Sequence, residues 1–125
     1  MITVHRSITI NRPIETVFEF VSDPSRIPEW RKDVIACTGS SNRDVGTEFI
    51  EKINFMGKKD FTMKIREFVP NRREVIENIA GPGARPIQTF AFTADGKNTR
   101  LDVQVEMRTF GFFRLLDCEL KRLPI

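Results

Sequence analysis

Two carboxylates interrupt runs in which apolar and polar residues alternate: Glu51 between Phe49 and Ile53, and Glu77 between Val75 and Ile79. Arg6, between Val4 and Ile8, does the same. If each run is a strand with one buried face, these charged side chains share the apolar face, because residues at i and i+2 point the same way. A carboxylate in apolar surroundings has a raised pKa and can serve as general acid, general base or ligand anchor. Glu51, Glu77 and Arg6 are therefore the candidate catalytic residues. The competing reading is that each lies where its strand leaves the core, or reaches the rim beside a basic neighbour.

Other chemistries are poorly served. The single histidine, His5, reads as a surface residue of the first strand, and no serine or cysteine sits in an elbow motif, which argues against a hydrolytic triad. GxGxxG, phosphate-loop and HExxH patterns are missing, and Gly81-Pro82-Gly83 reads as a turn. Cys37 and Cys118 belong to no CxxC or Cys/His cluster, so the expectation is two reduced, buried thiols and no metal, with a bridge between them left open. No cofactor is implied. The net charge of +3 is made of interleaved charges of both signs. The basic pairs Lys58-Lys59 and Arg72-Arg73 lack the interleaved aromatic residues of a stacking platform, so no nucleic-acid partner is expected. With 11 Phe, one Trp and no Tyr, the aromatic interior offers apolar area but no phenol.

The elements that must position these residues can be read along the chain. An alternating run reaches Asn11, whose side chain is placed to cap a helix, and Pro13 sits near that helix's first turn. Ile14, Val17, Phe18 and Val21 then give one apolar helical face. Asp23-Pro24 repeats the cap-plus-proline signal for a second, very short helix, which Pro28 is expected to stop before Trp30. Strands are predicted near 3–10, 34–38, 47–55, 59–69, 74–80, 87–93 and 99–109, separated by turn residues, as in an antiparallel sheet built from hairpins. Phe61, Met63 and Ile65 share a face, as do Phe90 and Phe92, and so do Leu101, Val103, Val105 and Met107. Such a face must be covered, and Phe113, Leu116, Leu120 and Leu123 recur at helical spacing in the segment left to cover it. The fold class is α+β. The 125 residues make one domain, 1–125, large enough to bury a core without disulfides or metals. No apolar run with a cleavage site opens the chain and none approaches a membrane span, so a cytoplasmic protein without an integral membrane segment is expected.

The strand, proline-started helix and Asp-Pro turn ending in Pro28-Glu29-Trp30 resemble the START-like (SRPBCC) superfamily, in its polyketide cyclase/dehydratase-type branch. Gly46 opening a strand, Glu67-Phe68-Val69-Pro70-Asn71 ending another, and Gly96-Lys97-Asn98-Thr99-Arg100-Leu101 extend the likeness over nearly the whole chain. The resemblance implies a helix-grip fold: a curved antiparallel sheet of about seven strands wrapped around a C-terminal helix, two short helices after the first strand, and a cavity between sheet and helix. The apolar stripe stops at Leu123-Pro124-Ile125, earlier than in that family, which would leave the cavity open at one end or completed by a partner.

Three functions follow. The first is binding of a small hydrophobic molecule, of lipid, isoprenoid or aromatic polyketide type, by a monomer or homodimer. Its ligand residues would be Trp30, Phe49, Ile53, Met63, Ile65, Phe90, Phe92, Val103, Val105, Phe113, Leu116 and Leu120. The second is a cyclase or dehydratase using Glu51, Glu77 or Arg6. Cyclases of the family depend on polar side chains, often Tyr, His or Arg, and this sequence has no Tyr and one His. The third is a protein-interaction module with a packed interior.

Overall fold

The structure is a computed structural model and describes residues 2–39, 43–54, 56–83 and 85–107. The expected C-terminal helix, with Phe113, Leu116 and Leu120, lies outside the described residues, as does Cys118. Seven strands form one open antiparallel sheet: β1 (Ile2–Ile10), β2 (Val34–Gly39), β3 (Glu48–Asn54), β4 (Lys58–Val69), β5 (Arg73–Ala80), β6 (Ile87–Asp95) and β7 (Asn98–Met107). Their order is β1-β7-β6-β5-β4-β3-β2. From β2 to β7 each strand pairs with its successor, because turn residues fold the chain straight back. Val69 pairs with Arg73 across a turn in which Asn71 has a φ of 62°, and Asp95 pairs with Asn98 across Gly96-Lys97. Only β1 travels, pairing with β7 from Ile2↔Met107 to Ile10↔Thr99.

Between β1 and β2 the chain forms α1 (Ile14–Val21), a 3-10 turn (Pro24–Arg26) and α2 (Ile27–Trp30). Two capping expectations are corrected. Pro13 itself is the N-cap of α1, with extended backbone and no side-chain hydrogen bond, so Asn11 is not the cap. Pro28 lies in the first turn of α2, where a missing N–H is harmless, and α2 ends on Trp30. Asp23 caps as expected, its Oδ1 accepting from the Ser25 N–H at 3.0 Å and the Ser25 hydroxyl at 2.7 Å.

Helix α1 packs against β6 and β7. The Phe18 ring meets Phe92 edge to face at 5.0 Å and Phe68 at 5.4 Å, a geometry that aligns positive ring edges with negative ring faces. One face of the sheet supplies the core: Ile8, Ile10, Phe49, Ile53, Phe61, Met63, Ile65, Ile76, Phe90, Phe92, Leu101, Val103, Val105 and Met107 are all buried there with Trp30 and the helix residues Val17, Phe18, Phe20 and Val21. The other face carries charge, including the pairs Arg66–Glu77, His5–Asp102 and Arg100–Asp102. Among the described residues no helix is long and apolar enough to cross a membrane.

Candidate functional site

The inner face is less purely apolar than its Phe content suggests. Glu51, Glu74, Asn78 and Gln88 are buried on it, and Arg31 is buried at the end of α2. Strand geometry accounts for each. In β3 the alternation places Phe49, Glu51 and Ile53 inward, as read from the sequence. In β6 the same alternation that buries Phe90 and Phe92 buries Gln88.

Strand β5 requires a correction. Its buried residues are Glu74, Ile76 and Asn78, whereas Val75, Glu77 and Ile79 take the other face. Glu77 thus leaves the interior and pairs with Arg66 on the outer face, and Glu74 takes the inward carboxylate position. The β4–β5 pairing contains register shifts between Thr62 and Met63 and between Ile65 and Glu67, and parity counted along one strand does not see them. Arg6 pairs in register with Val103 and is exposed. Three strand spacings, about 14 Å, separate it from Glu74 across β7 and β6. Glu51 and Glu74 are likewise apart, Glu51 facing Phe61 and Glu74 facing Phe68 of β4. The three sequence candidates therefore do not converge.

Glu51 is engaged. Arg31 Nη1 donates to its Oε1 at 3.0 Å, and Arg31 Nη2 donates to Asp33 Oδ2 at 2.9 Å. Burial pushes the Glu51 carboxyl above its usual range, against the pull of the Arg31 guanidinium. Cys37 pairs with Glu51 across β2 and β3, and its thiol is pushed up to about 12, mainly by burial and next by the Glu51 charge. This is an inert thiol at neutral pH. The trio Arg31–Glu51–Asp33 joins α2 to the sheet and reads as a structural clamp.

Glu74 is different. It is 1 % exposed, and neither carboxylate oxygen has a hydrogen-bond partner. Burial pushes its carboxyl up to about 8; the opposing influence is Arg43, whose guanidinium donates to Glu19 Oε1 at 2.6 Å and to Ser22 Oγ at 3.2 Å. At neutral pH Glu74 is mostly the uncharged acid. Other buried atoms on this side of the sheet also lack partners: Trp30 Nε1, Gln88 Nε2 and Asn78 Oδ1. Phe90 links them. It pairs with Glu74 in register, its ring meets Trp30 edge to face at 6.2 Å, and Gln88 lies two residues along the same face of β6. Asn78 follows Ile76, which pairs with Gln88.

Trp30, Phe49, Ile53, Met63, Ile65, Phe90, Phe92, Val103 and Val105 are all buried in the core cluster on this side of the sheet. Two clefts open where α1 and the 3-10 turn approach the sheet, and they meet at Arg43. One, about 560 Å³, is lined by Glu15, Phe18, Glu19, Arg43, Phe68, Pro70 and Asn71. The other, about 230 Å³, is lined by Asp23, Pro24, Ser25, Cys37, Thr38, Gly39, Arg43 and Phe49. Among the described residues no group of three His, Cys, Asp or Glu side chains is arranged to hold a metal ion. Sequence reasoning missed Arg31, Glu74, Asn78 and Gln88. For Gln88 the signal was present, since it alternates in step with Phe90 and Phe92.

An antiparallel seven-stranded sheet with two short helices inserted after its first strand defines a START-like fold. The same arrangement occurs in a START superfamily protein from Mycobacterium smegmatis, 18% identical over 86% of this chain and 79% of that one, with a TM-score of 0.72. A protein from Chromobacterium violaceum matches at 18% identity and TM-score 0.73, covering 97% of this chain and 96% of its own. The Zhui aromatase/cyclase of a Streptomyces species matches at 14% identity and TM-score 0.73, over 86% and 69%. Residues 1–122 match the family described as polyketide cyclase / dehydrase and lipid transport, and the chain belongs to that family. No curated protein matches it in sequence.

Proposed function

We propose that this protein binds a small, largely apolar molecule against the inner face of the sheet. The observation that carries the reading is the set of buried polar atoms without partners, on Trp30, Glu74, Asn78 and Gln88, within an otherwise apolar face. Burying an unsatisfied polar group costs about 1–3 kcal/mol, so a fold that carries several on one face is explained if something else satisfies them. The family's description, which includes lipid transport, supports the same reading. Trp30, the only tryptophan, gives a direct readout. Its fluorescence should change saturably on titration with an apolar ligand, and native mass spectrometry of freshly purified protein should show retained small-molecule mass. A flat Trp30 signal with every apolar ligand tried, and no retained mass, would sink the proposal.

A cyclase-like reading has one specific observation in its favour. A carboxyl pushed up to about 8 can both release and accept a proton near neutral pH, and Glu74 is such a group. Under that reading Glu74, rather than Glu51 or Glu77, supplies the acid–base chemistry, and Glu74→Gln abolishes turnover while leaving ligand binding measurable.

A further inference from the structure

Resting on the reading that the inner face holds a ligand, we infer that Glu74, Gln88, Asn78 and Trp30 select it. The ligand they fit is an uncharged apolar molecule carrying both carbonyl and hydroxyl groups, not a hydrocarbon or a fatty acid. The hydrogen-bonding inventory sets this chemistry. Trp30 Nε1 can only donate, so it calls for an acceptor such as a ligand carbonyl, and the Gln88 amide, held by no bond of its own, can turn either its donor or its acceptor to the ligand. Asn78 calls for the opposite of Trp30. Its Nδ2 donates to Thr62 O at 3.0 Å and to Ala80 O at 2.9 Å, which fixes the orientation of the amide and leaves Oδ1 as an acceptor awaiting a donor. Glu74, in its acid form, offers one donor and one acceptor.

The spacing argues further. Glu74 and Asn78 lie on one face of β5 with Ile76 between them, a separation of about 13 Å at 3.3 Å per residue. Polar groups of the ligand are then spread along its length, whereas a fatty acid gathers them at one end. Charge argues the same way. Arg31 is engaged by Glu51 and Asp33, and Arg43 by Glu19, so an anionic ligand at this patch would meet cations already in use. Burying a charge without a counter-ion is strongly unfavourable.

The test is competition on the whole protein, near pH 7, against the neutral fluorescent probe N-phenyl-1-naphthylamine. Four competitors share one ring frame: anthracene, 2,6-bis(hydroxymethyl)anthraquinone, whose hydroxyls are free and at opposite ends, anthracene-9-carboxylate and 9-aminomethylanthracene. The bis(hydroxymethyl)quinone should half-displace the probe at a concentration at least about tenfold below that of anthracene, equivalent to about 1.4 kcal/mol, and below both charged analogues. Within Glu74→Leu and within Gln88→Leu that preference should shrink to about threefold or less. Gln88→Leu keeps the test open if Glu74→Leu does not fold. Equal displacement by all four compounds, a preference for either charged one, or an unchanged ratio in both variants would overturn the inference while leaving inner-face binding intact. A probe that never binds the unmodified protein would overturn both.

Discussion

Glu74 couples ligand chemistry to stability. Its carboxyl rests at about 8 in the folded protein against an ordinary value of 4.5, so between those values the folded state keeps a proton that the unfolded chain has released. Where the folded state binds more protons, stability falls as pH rises. Urea midpoints should therefore drop between pH 5 and 8, by up to about 1.4 kcal/mol per pH unit from this group. Glu51 shifts in the same direction through burial, so Glu74→Gln should flatten the slope without abolishing it, and a variant with the same slope would show that Glu74 is solvated. The Arg31 clamp predicts a different outcome. Arg31→Met leaves Glu51 and Asp33 without their guanidinium in a buried site, and removing one partner of a buried pair costs about 3–5 kcal/mol. Chemical denaturation should show that loss, and a change below about 1 kcal/mol would mean the pair is wet. At this scale the sequence was partly legible. Glu51 could be placed because β3 alternates cleanly, and Gln88 was readable from its phase with Phe90. Arg31 was not, since nothing local marks the last residues of a one-turn helix as buried.

Among the elements, β5 carries the main misreading, and the reason is physical. Its outward residues Val75 and Ile79 are more apolar than its inward Glu74 and Asn78, so a rule that sends apolar residues inward inverts the strand. The pairings Ile76↔Gln88 and Ile65↔Ile76 override that local preference. Departures of this kind are expected where a site, rather than stability, chose the residues. Strand existence, by contrast, was legible almost to the residue, because Pro70-Asn71 and Gly96-Lys97 are strong turn signals between long alternating runs. The end of β5 shows how tightly its exit is fitted. Gly81 has a φ of +126°, and a Cβ there would stand 2.9 Å from Asp60 O and 3.1 Å from the Phe61 ring. Gly81→Ala should lower stability by about 1–3 kcal/mol and shift the β4–β5 amide signals, because backbone must give way. Asn78→Ala should act on the same pair of strands, since it deprives the Thr62 and Ala80 carbonyls of a donor, and hydrogen exchange should rise there first.

For the whole molecule, β1 is the element on which the rest closes. It covers the β7 edge along its full length and contributes Ile8 and Ile10 to the core. Deleting residues 1–10 should leave a protein without cooperative unfolding, with β7 exposed as an edge that invites aggregation. A truncated protein that still melts sharply would contradict this. The same pairing also sets a schedule. Ser7 and Arg100, bonded at 3.0 Å, are 93 residues apart, whereas the other strands pair with sequence neighbours. On a ribosome adding about 5–20 residues per second, β1 emerges roughly 5–20 s before its partner strand exists. The hairpins from β2 onward can assemble in that interval, but the sheet cannot acquire its seventh strand until β7 has been made. Premature release or a pause before β7 would strand an amphipathic segment with nowhere to dock. Of these seven strands the one made first is the last to find its place, and the nascent chain must be kept from pairing it elsewhere.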